Sequence, residues 1–294
     1  MTLVTEFAVP GLTDAEFVQF QRLIHQRAGI VLSDAKRALL VGRLARRMRE
    51  LSLTSFSAYY AAVQAGGQAE MTRLLDAICT NETHFFREGA QFDLLRDRVC
   101  SEWLGDEEAG RRSRTIKVWS AACSTGEEPH SIAMVLEDRL GRLGWGIDIL
   151  ATDLSTKVLS QASAGVWRAD RAAPIPEHYL KSYMLKGVGP EAGKVKAGAQ
   201  IRSRIRFAQV NLREADTAGW PGGERFDAIF VRNVLIYFDA PTRHDVLRRL
   251  VNHLSPGGYL FLGHAEGMAG AHLPLKSVMP AVYRLVPAAA GRAA

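Results

Sequence analysis

Two adjacent acids follow a turn of small residues in Ala121-Ala-Cys-Ser-Thr-Gly-Glu-Glu-Pro129. Such a turn after a strand lets the backbone approach a ligand closely, although a plain tight turn with helix-capping residues reads the same way. The string is neither G-x-G-x-x-G nor the phosphate loop G-x-x-x-x-G-K-[ST]. Glu127 and Glu128 stand where a dinucleotide's pyrophosphate would rest, and a carboxylate there repels phosphate. NAD and ATP are disfavoured, and a cationic ligand is favoured. Asp153 ends the next β-rich run, Ile147-Asp-Ile-Leu-Ala-Thr152. An acid at that place can hold both hydroxyls of a ribose, or it can cap the helix that Thr152-Asp153-Leu-Ser155 opens.

A sulfonium-bearing nucleoside suits these acids. S-adenosylmethionine carries a positive sulfonium and an ammonium, and it has no phosphate. Asn211 and Asn233 each follow a further β-rich run and can either cap a loop or line the same rim. Tyr237 follows Asn233 by four residues and can pack in a core or reach that rim with its hydroxyl. Thr80-Asn-Glu-Thr-His-Phe-Phe-Arg-Glu88 clusters polar groups where the character of the chain changes. Arg87 can clasp a carboxylate with both arms, or pair at the surface with Glu88. His84 has no second His or Cys at ligand spacing, so no metal site is read, and no G-x-S-x-G supports a catalytic triad.

The elements that must carry these residues fall into two kinds. The first stretch of about 90 residues reads as four helices with no strand signal. Thr13 and Glu16 have the spacing of a capping box, and Phe17, Phe20, Leu23 and Ile24 follow at helical intervals. A second helix over about 33–51 has Leu40, Leu44, Met48 and Leu51 on one face and Arg43, Arg46, Arg47 and Arg49 over most of the rest. Beyond it, short β-rich runs at 116–121, 147–152, 204–210, 226–231 and 259–262 alternate with helices. That alternation implies a parallel sheet covered on both faces. Ala281-Val-Tyr-Arg-Leu-Val286 reads as a closing edge strand, and the Ala/Gly tail after Pro287 as disordered. Residues 166–203 interrupt the alternation and read as a small inserted subdomain with β-hairpins. The expected division is a helical domain over 1–80, a linker over 81–92 that contributes to the cofactor site, and a nucleotide-binding domain over 93–294.

Composition excludes several classes. The chain has 294 residues, 47% of them hydrophobic and 23% charged, which argues against disorder as the main state. No window approaches the roughly 20 apolar residues of a spanning helix, and the beginning lacks the pattern of a signal peptide, so a cytoplasmic protein without membrane insertion is expected. A net charge of +6 is too small for a nucleic-acid-coating protein and compatible with an acidic partner. Cys79, Cys100 and Cys123 are widely spaced and read as reduced thiols.

Five strings, in order, resemble the receptor methyltransferases of chemotaxis, the CheR family. They are Thr80-Asn-Glu-Thr-His-Phe-Phe-Arg-Glu88, Trp119-Ser-Ala-Ala-Cys-Ser-Thr-Gly-Glu-Glu-Pro129, Ala151-Thr-Asp153, Phe226-Asp-Ala-Ile-Phe-Val-Arg-Asn-Val-Leu-Ile-Tyr-Phe238 and Leu254-Ser-Pro-Gly-Gly-Tyr-Leu-Phe-Leu-Gly-His264. The resemblance spans about residues 12–286. It implies a Rossmann-like class I methyltransferase sheet with an N-terminal all-helical domain and a small inserted β-subdomain. It implies methylation of glutamates on the cytoplasmic helices of chemoreceptors, with S-adenosylmethionine consumed and S-adenosylhomocysteine produced. By motif, Asn81, Thr83 and Arg87 contact the cofactor, Glu127 takes its methionyl end and Asp153 its ribose. Asn211 with Leu212, and Asn233 with Val234, line the adenine and methionine side, and Tyr237 stands near the transferred methyl. Arg87 and Tyr237 are the expected catalytic pair. His130 and Ala265 depart from the family's usual Tyr and Ser beside the motifs.

Two rivals stand beside this reading: a methyltransferase for another acceptor, and a non-catalytic docking module that merely binds the cofactor. The missing N-P-P-Y-type string argues against nucleobase acceptors, and intact Glu127, Asp153 and Arg87 argue against the module. Two surfaces are candidates for receptor contact. The arginine face of the second helix would dock the acidic methylation helices, and otherwise is a solvated face. The glycine-rich Lys186-Gly-Val-Gly-Pro-Glu-Ala-Gly193 would leave a strand edge open to a receptor's C-terminal peptide, and otherwise is a flexible spacer.

Overall fold

Thr13 starts the first helix by the expected device. Its hydroxyl accepts from the Glu16 amide at 3.3 Å, and the Glu16 carboxylate accepts from the Thr13 amide at 3.0 Å. The computed structural model describes residues 11–214, 220–266 and 273–286, so the tail after Pro287 lies outside the described residues. The chain forms two compact units. One comprises residues up to Thr80 together with Tyr237–Asp239, and the other Asn81–Ile236 with Ala240 onward.

The first unit contains α1 (Asp14–Ala28), α2 (Arg37–Glu50), α3 (Phe56–Ala65) and α4 (Gly67–Ile78). Phe17, Phe20, Leu40, Leu44, Met48, Phe56, Tyr59 and Leu74 are buried, and the Phe20 ring stacks on Tyr59 at 6.2 Å. The later segment joins by an antiparallel bridge between Ile30 and Phe238, and His25 Nε2 lies 2.8 Å from Asp239 Oδ2. The arginine face of α2 is not what its pattern suggested. Arg43 donates to the carbonyls of Ile78 and Cys79, closing the C-terminus of α4. Arg47 grips the buried carboxylate of Glu70 with bonds of 2.8 and 2.6 Å. A guanidinium engaged in this way is structural, so only Arg46 and Arg49 stay exposed on that face.

The second unit begins with α5 (Gly89–Leu94), which passes through a π-helical turn, Leu95–Val99, into α6 (Cys100–Glu108). Next come β1 (Thr115–Ala121), α7 (Glu127–Arg139), β2 (Gly146–Asp153) and α8 (Thr156–Ala164). The inserted segment carries β3 (Val166–Arg168), α9 (Glu177–Tyr183), β4 (Met184–Lys186) and β5 (Lys194–Ala197). The chain returns through α10 (Ala199–Arg202) to β6 (Ile205–Gln209), β7 (Phe226–Val231), α11 (Ala240–Asn252), β8 (Leu254–Leu262), β9 (Leu275–Met279) and β10 (Val282–Leu285).

The main sheet runs β6-β2-β1-β7-β8-β10-β9, parallel through β8 and antiparallel beyond it. Its central strands are apolar on both faces because helices cover both. Ile116, Val118, Ile149, Ala151 and Phe230 are buried on one face and Trp119, Leu150 and Ile229 on the other, and Phe230 stacks on Phe261 of the neighbouring strand at 4.1 Å. Two expectations are corrected. The last strand is not the edge, because β9, which is short, has no fully buried residue and so gave no apolar signal, pairs outside it. Strand β8 starts at Leu254, ahead of the apolar run at 259–262. The insertion is a separate antiparallel sheet, β3-β5-β4, anchored by the buried Trp167.

Candidate functional site

The register of the parallel strands sets the rim. Ala121 faces Thr152 on one side and Val231 on the other, and Asp153 faces Gln209. The carboxyl ends of β6, β2, β1 and β7 therefore stand side by side, where open α/β sheets bind their ligands. Of the seven described non-glycine residues at positive φ, five lie on this rim or in the segment before α5: Phe86, Glu88, Ala122, Ser124 and Asn233. Left-handed backbone costs an ordinary residue on the order of 1–2 kcal/mol, and such strain gathers where a fixed loop shape is required.

Gly126, at φ 93°, closes the loop after β1. A Cβ there would also lie 2.8 Å from the Cβ of Ala162, so only glycine lets α7 and α8 approach this closely. Glu127 is the first residue of α7 and is fully buried. One of its oxygens accepts from Thr125 Oγ1 at 2.6 Å, and the other pairs with Arg171 Nη2 at 2.6 Å. Glu128 departs from the expectation that both acids face a ligand. It turns to Ser120 Oγ at 2.7 Å and to Arg232 at 3.1 Å, where its charge is met inside the fold.

Asp153 is not the cap of α8, because Ser155 takes that place by accepting from the Val158 amide. One Asp153 oxygen accepts from the Ser124 amide and the other from the Ser155 amide, each at 2.9 Å. These two bonds fix the orientation of the carboxylate at the end of β2. Trp167 ties the insertion to the same loop, donating its indole N–H to the Thr125 carbonyl at 3.1 Å and packing edge-on against His130 at 4.8 Å. Burial pushes the His130 imidazole down to about 4. The ring is therefore neutral near pH 7, and its Nδ1–H can donate to the Gly126 carbonyl at 2.7 Å.

The segment before α5 meets this rim. Ser124 Oγ donates to the Asn81 carbonyl at 3.0 Å, and Arg171 donates to the Thr83 carbonyl. Arg87 does not pair with Glu88. Its guanidinium donates to the Glu82 carbonyl at 3.1 Å and makes no ion pair among the described residues. Glu88 instead joins the buried Arg232, at 3.1 Å, with Glu128 on the guanidinium's other arm. Burial raises the Glu128 carboxyl in spite of Arg232 and Ser120. For Glu88, burial acts the same way, but Arg232 and the His264 amide outweigh it and hold the carboxyl below its ordinary value. Arg232 also donates to the Arg87 carbonyl, so it holds the end of this segment in place.

Asn211 makes a local turn, its Oδ1 accepting from the Arg213 amide at 3.1 Å, and Leu212 beside it is buried. Asn233, left-handed, is fixed by Glu266, whose buried carboxylate accepts from the amides of Asn233 and Gly263 at 2.8 Å and of Ile236 at 3.2 Å. Val234 is half-buried in the same turn. Tyr237 belongs to the first unit, where its carbonyl accepts from the Val31 amide at 2.8 Å and Lys36 Nζ stands 5.1 Å from its ring. Among the described residues no cluster of His, Cys, Asp or Glu could hold a metal ion.

Comparison with known families decides the assignment. Residues 81–283 match the model of the CheR methyltransferase SAM-binding domain, and residues 15–79 that of the CheR methyltransferase all-alpha domain. The chain belongs to the CheR methyltransferase family. Curated chemotaxis protein methyltransferases of Salmonella typhimurium and Escherichia coli are each 42% identical over 88% of this chain and 86% of the relative. Chemotaxis protein methyltransferase 2 of Pseudomonas aeruginosa is 39% identical over 92% of this chain and 93% of the relative.

As a CheR-family methyltransferase the chain uses S-adenosylmethionine, and the donor set fits it. Glu127 and Asp153 are two buried carboxylates at the rim, a donor set suited to a ligand that is cationic and lacks phosphate. Three residues of this CheR-family site were not found from the sequence. Arg232 lies within a recognised string and Glu266 just beyond one, but nothing in an isolated Arg or Glu tells that it is buried as a linchpin. Arg171 lies in the insertion, which reads from sequence as a subdomain with β-hairpins but gives no place to any single residue. No described helix is long and apolar enough to cross a membrane.

Proposed function

We propose that this enzyme converts glutamate side chains on the cytoplasmic helices of chemoreceptors into methyl esters, in the cytoplasm, as part of sensory adaptation. What supports the reading most is the pairing of an all-helical domain with a methyltransferase domain whose rim presents Glu127 and Asp153. In this reading Asn81, Thr83 and Arg87 contact the cofactor from the segment before α5. Glu127 takes the methionyl ammonium and Asp153 the ribose diol. Asn211 with Leu212, and Asn233 with Val234, enclose the adenine and methionine side. Tyr237, which directly follows Ile236 in the chain, stands near the transferred methyl.

The cofactor, when bound, supplies an electrophilic methyl on a positive sulfur. A receptor glutamate near pH 7 is already an ionised nucleophile, so no strong general base is required of the protein. Opposite charges meet and vanish in the transition state, so the protein's task is alignment and exclusion of water. Arg87 suits that task because its guanidinium has no carboxylate partner among the described residues and can orient an incoming one. Labelled-methyl transfer to a receptor's cytoplasmic domain tests the function. Label that is stable in acid and lost in mild base marks a methyl ester, and the absence of transfer to any receptor domain overturns the reading.

Arg46 and Arg49 are the exposed arginines of α2 and suit an acidic helix. Charge reversal at both, R46E with R49E, should lower the rate of receptor methylation about tenfold at low salt. The basis is roughly 0.5–1 kcal/mol for each exposed charge reversed. The difference should fade as salt is added, with affinity for S-adenosylhomocysteine unchanged. Equal rates for variant and parent at low salt would make the face merely solvated.

The free edge of β4 is the proposed seat of a receptor's C-terminal peptide. Leu185 on β4 and Val188 after it are 58% and 78% exposed, an apolar pair on an edge strand. The loop does not simply swing clear, because Gly187 donates to the Lys194 carbonyl at 2.9 Å and Gly189–Glu191 forms a helical turn. Titrating receptor tail peptides should give saturable binding that Leu185→Asp, or removal of residues 187–189, abolishes. Even micromolar affinity would suffice, since a flexible tether gives effective concentrations near millimolar. Failure of every tail peptide to bind would leave the loop a spacer.

A further inference from the structure

Arg171 reaches the carboxylate that the proposed function gives to the methionyl ammonium. It projects from the helical turn Ala169–Ala172 of the insertion, next to β3. Its Nη2 lies 2.6 Å from Glu127 Oε1 and also donates to the Thr83 carbonyl. The Glu127 side chain is 1% exposed and that of Arg171 42%, so a buried carboxylate meets a cation that reaches it from the surface. The turn has its own anchors. The Ala169 amide donates to the Gly193 carbonyl at 2.8 Å, Ala172 is buried, and Asp170 pairs with Arg168 rather than with Arg171. A buried carboxylate is costly without a cation. Two cations can serve Glu127, the guanidinium of this chain and the ammonium of the methionyl group.

We propose that Arg171 is a built-in stand-in for that ammonium. It bridges Glu127 and Thr83 at the methionyl end of the site, and it must leave Glu127 when the cofactor's ammonium takes that carboxylate. The inference rests on the reading that Glu127 takes the methionyl ammonium. It has two consequences. Cofactor affinity equals the intrinsic value multiplied by the fraction of molecules in which Arg171 has left Glu127. The turn Ala169–Ala172 is also released when the methionyl end fills, which carries the state of the site to the insertion.

The experiment is calorimetry on the full chain and on Arg171→Ala and Arg171→Gln, with S-adenosylhomocysteine and with 5′-methylthioadenosine, which lacks the amino-acid end. S-adenosylhomocysteine should bind about five- to tenfold more tightly to Arg171→Ala, and also more tightly to Arg171→Gln, which keeps a donor for Thr83 but no charge. Methylthioadenosine should bind all three equally, because it does not compete with Arg171. Amide exchange over 169–172 in the parent chain should quicken with S-adenosylhomocysteine and stay unchanged with methylthioadenosine. Weaker or unchanged S-adenosylhomocysteine binding in folded Arg171→Ala overturns the proposal, as does an equal gain for both ligands. Glu127→Gln separates the premise from the inference. If it leaves S-adenosylhomocysteine affinity intact, Glu127 does not take the ammonium and the underlying reading fails. If it weakens binding while Arg171→Ala brings no gain, the reading stands and only the stand-in role is lost.

Discussion

Asp153→Ala should bind S-adenosylmethionine and S-adenosylhomocysteine at least tenfold more weakly than the parent chain. A hydrogen bond to a charged group is worth about 1.5–3 kcal/mol, which is about a tenfold to hundredfold change in affinity. The proposed diol contact would be lost directly. A second loss adds to it, because Asp153 also holds the amides of Ser124 and Ser155 at 2.9 Å. Ser124 is left-handed, at φ 50°, and without its acceptor the loop after β1 has less to keep it there. Asp153→Asn keeps one acceptor oxygen and should fall between the two. The check is calorimetric titration of variants shown to be folded by their thermal transitions. Parent-like affinity in Asp153→Ala would remove the ribose role and leave Asp153 as a loop pin.

Arg232→Met should be the most damaging single change to stability, by about 3–5 kcal/mol, the range for breaking a buried ion pair from one side. The guanidinium is 2% exposed and stands between Glu88 and Glu128. Without it two carboxylates share an interior with no cation between them. The loss should depend on pH. In the parent chain Glu88, held below its ordinary value, adds stability above the ordinary carboxylate range and loses it as pH falls through its folded value. Glu128, raised by burial, acts in the opposite sense, and its cost appears as pH rises toward its folded value. In Arg232→Met both carboxyls shift upward, so the variant suffers most where both are ionised. Urea unfolding should show the full deficit at about pH 8 and a smaller one at about pH 5.5. The same deficit at both values would mean that lost packing against Phe92, 5.6 Å from the guanidinium, accounts for it rather than charge.

How legible the site was depended on how local its signals are. Asp153, Gly126 and the acid after it could be read because a strand, a turn and a helix start follow one another within a few residues. Glu266 could not, because its partners Asn233 and Ile236 lie 33 and 30 residues away. The arginine face of α2 shows the same limit. A helical projection displayed Arg43, Arg46, Arg47 and Arg49 as one charged surface. Glu70, 23 residues on, and the carbonyls at the end of α4 take two of them out of it. The order of the last strands escaped for a different reason. A strand with no fully buried residue, as β9 is, lacks the apolar pattern that marks its neighbours, so β10 looked like the edge. The parallel core was readable because burial on both faces leaves an apolar run in the chain itself.

The segment Tyr237–Asp239 bears on how such a gene can be divided. The two family models meet between residues 79 and 81, as though the helical part were a detachable module. The chain, however, leaves the methyltransferase unit after Ile236, contributes three residues to the helical one, and returns at Ala240. A gene piece ending at Thr80 encodes α1–α4 but not the partner of Ile30 or the carboxylate beside His25. Exchange of whole domains between relatives at that boundary would therefore join helices from one parent to a completing segment from the other. Successful hybrids would need residues 237–239 to travel with the first 80, a linkage between distant parts of the reading frame that the domain boundary alone does not reveal.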